Sequence, residues 1–343
     1  MLETWGWGLE NVVYVVVVEQ NYQMGEFTLI KAIKNMFIDC GGSQIGDDAA
    51  ILDLGDQQLV VSNDLTIEGV HLPKITPSNS RIDDFGSGCD ISKITERDFG
   101  YKSITSAISD IAAMGAEPRW VTLSLCGPVG SDLLEVMEGV KEACVQFECD
   151  LIGGDLSVSP VLMASVTAMG TCKPSEAVPR DTCSVGEAIW VTGPCGGARC
   201  GLRLINKEIE IVDDALVGDL ISKQKRPVPR LKEAILARLI GASSMIDISD
   251  GLAHELDQLA NGANVGISID TVPIYDGATL EDALYGGEDY ELIFTLGPEV
   301  DAIEQFQKAG LNPPIKIGMT VKESELRKIG NKDFLVNGFE AKW

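Results

Sequence analysis

Histidine is almost missing from this sequence. His71 and His254 are its only two, and His254-Glu255 lacks the second histidine that a zinc-protease helix needs, so imidazole-rich metal chemistry is excluded. Positive charge is also scarce: Lys and Arg total 27 against 52 Asp and Glu, a formal net charge of −25. A chain of that charge repels nucleic acid and anionic membrane, so neither is an expected partner. The cysteines, at 40, 89, 126, 144, 149, 172, 183, 195 and 200, contain no C-x-x-C pair. They read as reduced, mostly buried small apolar side chains of a cytoplasmic protein. The apolar stretch Val12 to Val18 is far shorter than the ~20 residues a spanning helix requires. Glu3 and Glu10 precede it, and no basic residue does, so it lacks the n-region of a secretory signal. It reads as an extra strand or as part of an extension, 1–23, ahead of a fold that begins near Met24. No Gly-Lys dipeptide occurs, which excludes a Walker A loop, and no strand is followed by a complete G-x-G-x-x-G. Asp-Phe-Gly occurs at 84–86 and 98–100, but without the H-R-D loop and V-A-I-K strand of a protein kinase.

What is present describes a globular α/β protein. With 45% hydrophobic residues, 23% charged and a mean hydropathy of +0.11, the chain can bury a substantial core. Its 343 residues fit about two domains. Phe27, Ile30, Ile33 and Phe37 fall at helical spacing over 26–38, and 49–54 with 58–62 reads as a β-hairpin around Gly55-Asp56. The polar, turn-rich 73–97 predicts an exposed insertion, chiefly over 74–97. A helix over 101–114, a strand over 120–125, a helix over 132–147 and strands at 151–152 and 161–170 complete a first domain, 24–172. The second, 173–343, alternates again: strands at 188–192, 244–248, 265–269, 291–296 and 314–317, with helices at 198–205, 229–240, 252–260 and 300–309. Both halves are mixed α/β, although periodicity does not order the strands.

Acidic residues recur in glycine-rich settings or at strand ends: Gly46-Asp47-Asp48, Ser62-Asn63-Asp64, Ser109-Asp110, Gly153-Gly154-Asp155, Asp247-Ile248-Ser249-Asp250-Gly251 and Gly286-Gly287-Glu288-Asp289. Taken singly, each is more often a turn or helix cap than a ligand. Six together suggest carboxylates projected into one cleft, where hard oxygen ligands suit Mg²⁺ and paired glycines let backbone amides approach phosphate. The EF-hand spacing is absent. On the same residues, Asp47 reads as structural and His71 equally as a hydrogen-bonded loop histidine; a surface charge is the alternative for Arg180, although a planar guanidinium suits bidentate phosphate contact, and a helix cap is the alternative for Ser249. The turn 193–201 reads equally as a phosphate nest or a plain strand-to-helix connection.

In their order, Gly25-Glu26-Phe27, Ile45-Gly46-Asp47-Asp48-Ala49-Ala50, Ser62-Asn63-Asp64, Gly69-Val70-His71 and Ser109-Asp110-Ile111-Ala112-Ala113-Met114-Gly115-Ala116-Glu117-Pro118 are similar to the N-terminal half of thiamine-monophosphate kinases. Leu151-Ile152-Gly153-Gly154-Asp155, Val191-Thr192-Gly193, Asp247 to Leu252 and Gly286 to Leu292 continue the resemblance, which covers about 24–343. It implies an α/β (α+β) fold of two mixed domains of the aminoimidazole ribonucleotide synthetase-like type, and a homodimer whose N-terminal strands build the interface. It also implies ATP- and Mg²⁺-dependent phosphorylation of thiamine monophosphate to thiamine diphosphate. By that resemblance Asp48, Ser62, Asn63, Asp64, Asp110, Asp155, Asp247 and Asp250 hold magnesium, with Asp64, Asp110 and Asp247 at the centre of catalysis. Gly154, Asp155, Arg180 and Ser249 match positions that contact ATP. His71, Glu288 and Phe339 match positions that contact thiamine monophosphate. The sequence departs from the family in having Asn63 where Thr is common, Val70 and Leu72 beside His71 where Asn and Phe are common, and the 74–97 insertion. Other ATP-using members of the superfamily fit less well. The chain ends Ala341-Lys342-Trp343 rather than in the reactive Cys of the hydrogenase-maturation type, and no Cys stands in a glycine-rich N-terminal loop as selenophosphate synthetase needs. A non-catalytic divalent-cation-binding protein is the alternative from another class.

Overall fold

The computed structural model describes residues 26–40, 42–75, 93–334, 336 and 338. The expected extension 1–23, Phe339, and most of the expected insertion lie outside them. Helix α1 (Glu26–Met36) belongs to a small unit of its own, while the main compact unit spans Gln44–Phe339.

In the main unit the hairpin forms as its turn residues dictate. Strand β1 (Ala50–Asp53) pairs antiparallel with β2 (Gln58–Ile67), and the Asp53 carboxylate accepts from the Gly55 amide in the turn. With β3 (Glu117–Gly127), β4 (Asp150–Val158) and β5 (Met163–Cys172) they make a five-stranded sheet in the order β1-β2-β5-β3-β4. All pairs are antiparallel except β3 with β4. Strand β5 alternates half-buried and buried along its whole length, with Ala164, Val166 and Ala168 pointing into the core, so one face of the sheet is packed and the other is open. Every residue of the edge strand β4 is exposed.

Two helices cover the packed face: α2 (Glu96–Ala113) and α3 (Leu133–Gln146). They touch backbone to backbone. A Cβ on Gly100 would lie 1.9 Å from the Val136 carbonyl oxygen, and one on Gly139 would lie 1.9 Å from the Arg97 carbonyl oxygen. Both positions therefore require glycine, although glycine weakens a helix interior by about 1 kcal/mol. Helix α2 starts five residues earlier than its periodicity predicts, inside the stretch expected to be an exposed insertion. Thr95 and Asp98 close a capping box there, Thr95 Oγ1 accepting from the Asp98 amide at 3.1 Å and Asp98 Oδ2 accepting from the Thr95 amide at 3.2 Å. The second Asp-Phe-Gly tripeptide is thus the first turn of a helix. All but two of the 18 residues of α2 are buried, because its Ile104, Ile108 and Ile111 pack on the first sheet while Ala112 and Ala113 enter a core of the second half.

The second half is a seven-stranded sheet, β12-β11-β8-β10-β6-β9-β7, formed by β6 (Ala188–Val191), β7 (Ser244–Asp247), β8 (Gly266–Ile269), β9 (Leu292–Leu296), β10 (Ile315–Val321), β11 (Arg327–Ile329) and β12 (Lys332–Asp333). The helices are α4 (Gly197–Ile205), α5 (Asp214–Lys225), α6 (Leu231–Leu239), α7 (Leu252–Ala263), α8 (Leu280–Tyr285) and α9 (Ala302–Lys308). Helices α5 and α8 are absent from the sequence reading. Only Leu220, Ile221 and Gln224 of α5 are buried, too few for an apolar stripe to show, and α8 is barely a turn and a half. No helix among the described residues is long and apolar enough to cross a membrane.

Candidate active site

The C-terminal half of α2, the segment before β1, strand β2 and the end of β7 bring carboxylates together. Ligand oxygens of Asp48, Asp110 and Asp247 all lie within 4.8 Å of one another. Each is held from behind. Ser62 Oγ, on the packed face of β2, donates to Asp110 Oδ2 at 2.5 Å, and Ser109 Oγ donates to Asp247 Oδ2 at 2.5 Å. One oxygen of Asp48 accepts from the Arg180 guanidinium, while Arg180 Nε donates to Asp47 at 3.2 Å. Asp64, two residues beyond Ser62 on the same face of β2, is near enough for its charge to act on both Asp110 and Asp247.

The electrostatics are those of a cation site. Burial, then the Asp247, Asp64 and Asp48 charges, push the Asp110 carboxyl well above the usual range. Burial does the same to Asp48 despite Arg180, and takes Asp247 up to about 6. The second oxygen of Asp48 is buried without a hydrogen-bond partner. A desolvated acceptor with no donor beside two further carboxylates is costly in protein alone and fits a hard divalent cation. The residues present therefore suit such an ion.

The other acidic loop is organised by Glu255, which the sequence reading overlooked. Buried in the first turn of α7, it accepts from the Ser249 hydroxyl at 3.3 Å and from the Asp250 amide at 3.0 Å. Burial, then the nearby Asp250, raises its carboxyl well above the ordinary value. Ser249 is consequently not a helix cap: Gly251 takes that position, and no side chain caps it. The turn at 193–201 proves to be a nest filled from within. Asp289 accepts from the amides of Gly196 at 2.6 Å and Ala198 at 3.1 Å, leaving a connection rather than a free phosphate site.

Arg180 is no surface charge, since only 16% of its side chain is exposed and it is committed to Asp47 and Asp48. His71 is a hydrogen-bonded loop histidine: its Nδ1 accepts from the Ile67 amide at 2.9 Å, which places the proton of the neutral ring on Nε2. Glu288 adopts a φ of 70°, the left-handed region a non-glycine residue rarely occupies without cause. One of its oxygens lies 2.7 Å from Lys102 Nζ. Tyr290, also at positive φ, is buried close to Glu288, Asp64, Asp247 and Asp110.

Two expected metal positions stand elsewhere. Strand register places Asp64, Val166, Leu123 and Gly154 in one row across the sheet, and Leu65, Ser165, Ser124 and Asp155 in the next. Side chains alternate, so Asp155 and Asn63 stand on the open face, opposite Asp64. Two strands, β5 and β3, also lie between Asp64 and Gly154, so three inter-strand spacings of about 4.8 Å separate them, about 14 Å. Asn63 is occupied by Thr167 Oγ1 at 2.9 Å and Ser165 Oγ at 3.2 Å. A single chain thus does not bring Asn63 and Asp155 to the acidic cluster. Gly154 answers to the sheet itself, because a Cβ there would sit 1.9 Å from the Leu123 carbonyl oxygen.

Comparison with known proteins agrees with this architecture. Residues 46–172 match the N-terminal domain, and residues 184–330 the C-terminal domain, of the AIR synthase related proteins. The chain belongs to that family of two-domain proteins. It is 35% identical over 293 residues to thiamine-monophosphate kinase of Synechococcus elongatus, covering 81% of this chain and 83% of the relative. With that of Bacillus subtilis it shares 32% over 331 residues, 90% of this chain and 95% of the relative. A solved structure described as AaThiL complexed with AMPPCP and TMP superposes with a TM-score of 0.78 at 28% identity, covering 94% of this chain and 99% of that one. Within the AIR synthase related class, the chain is a member of the thiamine-monophosphate kinase family.

Proposed function

We propose that this protein transfers the terminal phosphoryl group of ATP directly to the phosphate of thiamine monophosphate, giving thiamine diphosphate. The observation that carries this reading is the cluster of half-buried Asp48 and Asp110 with buried Asp247, with a buried Asp48 oxygen left without a partner, inside a chain of this family. Asp48, Asp64, Asp110 and Asp247 are the residues that would hold Mg²⁺, with Ser62 beside them and Asp250 on the neighbouring loop. Neutralisation of two facing polyanions and a template for in-line geometry are the chemistry Mg²⁺ supplies when bound.

The chain's own part is positional. Ser62, Ser109 and Arg180 fix the carboxylates, so the cluster needs little rearrangement to receive charge. The acceptor phosphate has a second pKa around 6 and is ionised near neutral pH, so no side chain has to remove a proton. We assign ATP contacts to Ser249 and to the Arg180 guanidinium nitrogen not engaged by Asp47 or Asp48, and to Gly154 and Asp155 as supplied by a second copy of the chain, since within one chain they stand away from the cluster; thiamine monophosphate contacts are assigned to His71, Glu288 and Phe339. A homodimer is supported by β4, an edge strand whose Leu151, Ile152, Leu156 and Val158 are exposed, as a second copy would require. A cytoplasmic location agrees with the seven cysteines whose side chains are described, all free.

Incubating the purified protein with ATP, Mg²⁺ and thiamine monophosphate should yield ADP and thiamine diphosphate in equal amounts. Absence of the diphosphate would refute the assignment, and a phosphoenzyme trapped with labelled ATP would refute direct transfer.

Mg²⁺ binding should also be visible without turnover. The cluster carboxyls have folded values raised above the unfolded one, Asp247 to about 6 from 3.8. Between those values the folded chain keeps protons that the unfolded chain has released, so stability falls as pH rises through that window. A cation displaces those protons, and its stabilisation grows with pH. The Mg²⁺-induced rise in Tm is therefore expected to be larger at pH 8 than at pH 6, by about 3 °C or more. Equal rises at both pH values would remove the cluster as the binding site.

A further inference from the structure

Lys102 is one of the largest fully buried side chains, 1% exposed, in the middle of α2. An ammonium has three N–H donors and no acceptor. Here all three have partners on three different segments: Glu288 Oε1 at 2.7 Å, the Gln224 carbonyl oxygen at 3.0 Å and the His71 carbonyl oxygen at 3.2 Å. Lys102 thus has no donor left for a phosphate, and it does not act as a substrate ligand. What it does is tie together the two residues assigned above to thiamine monophosphate.

Gln224, also 1% exposed, completes the arrangement. Its Nε2 donates to Glu288 Oε2 at 2.8 Å, so both oxygens of Glu288 are gripped, one by an ammonium and one by an amide. That orientation leaves Gln224 Oε1 buried without a donor. An amide serving only its own satisfaction would not be held this way, because an unpaired buried acceptor is unfavourable. Glu288 in turn keeps a left-handed backbone conformation, its amide donating to the Ser249 carbonyl oxygen at 2.7 Å. Two unfavourable local choices, at Gln224 and Glu288, are maintained in one contact network, as happens where a site rather than a core sets the geometry.

We propose that Lys102 and Gln224 are positioning residues for thiamine monophosphate, holding the Glu288 carboxylate and the His71 segment in the geometry that recognises it. This rests on the functional reading above. The hydrogen bonds of Lys102 and Gln224 go to Glu288, to the His71 carbonyl and to one another's segment, and none reaches Arg180, so the larger effect is expected on thiamine monophosphate.

The test is steady-state kinetics on Lys102→Met, Gln224→Met, Glu288→Gln and Lys102→Met combined with Glu288→Gln, each with its Tm. Lys102→Met is expected to raise KM for thiamine monophosphate at least tenfold and Gln224→Met about threefold or more, with KM for ATP changed less than twofold in both. With Glu288 already changed to Gln, Lys102→Met should raise KM by a smaller factor than it does alone, since Lys102 acts through Glu288. Gln224→Met leaves the Lys102–Glu288 ion pair in place and decides the matter if Lys102→Met does not fold. Unchanged KM for thiamine monophosphate in a folded variant overturns the proposal, as do parallel rises in both KM values that follow the loss of Tm. A wild-type protein that makes no thiamine diphosphate overturns the functional reading, and this inference with it. Normal wild-type turnover with unaffected variants overturns this inference alone.

Discussion

Asp110→Asn is expected to lose nearly all turnover while giving a more heat-stable protein in the absence of Mg²⁺. The two effects share a cause. Asp110 is half-buried and packed against Asp247, Asp64 and Asp48, and at pH 8 its carboxyl either keeps a proton that the unfolded chain has released or stays charged among like charges. An amide of the same shape avoids both penalties and can still accept from Ser62 through its carbonyl oxygen. At pH 8 the variant should therefore melt above the wild type. The same change removes one of the carboxylates proposed to hold Mg²⁺, and kcat should fall by about 10²–10³-fold or more. Asp64→Asn should also remove most of the turnover. Differential scanning calorimetry without Mg²⁺, set beside ADP release with it, checks both halves. Near-normal kcat in both variants would exclude these carboxylates from metal binding, and a lower Tm for Asp110→Asn would exclude the repulsion described here.

Arg180→Met works in the opposite sense. It strips the guanidinium from Asp47 and Asp48, whose side chains are only 21% and 6% exposed, and leaves their charges uncompensated. Breaking a buried pair on one side costs about 3–5 kcal/mol, so a fall in Tm of about 5–10 °C is expected without Mg²⁺. Saturating Mg²⁺ should recover part of it, because a bound cation takes over some of the compensation at Asp48. Arg180→Lys should fall between the two, since a single ammonium does not reproduce a fork that reaches Asp47 and Asp48 together. Thermal denaturation of the three proteins with and without Mg²⁺ gives the answer. A Tm unchanged in Arg180→Met would mean that the pair contributes nothing.

Much of this molecule was legible in order along the chain. The hairpin at Gly55, the helices at 132–147 and 252–260 and the alternation of strands in both halves follow from spacing and turn chemistry. The start of α2 did not, because its capping box uses Asp98 where Glu or Gln is the recognised partner and lies in a turn-rich stretch. Ser62, Asp64 and Thr66 gave a signal that periodicity alone ignores: three polar residues in alternation on what registers as the packed face of β2. Glu255, Lys102 and Gln224 offered none. A buried charged residue in a helix has the same sequence signature as an exposed one until its partners are known.

The sequence by itself determined the residue types, their order and the family, and hence that acidic groups, glycines and a single well-placed arginine would carry the chemistry. Only the tertiary structure decided which of them meet. Asp48, Asp110 and Asp247 are drawn together from a loop, a helix and a strand end, while Asp155 and Asn63 are turned to the open face. The reason is geometric: a strand sends neighbouring side chains to opposite faces, and which face is packed depends on helices encoded far away in the chain.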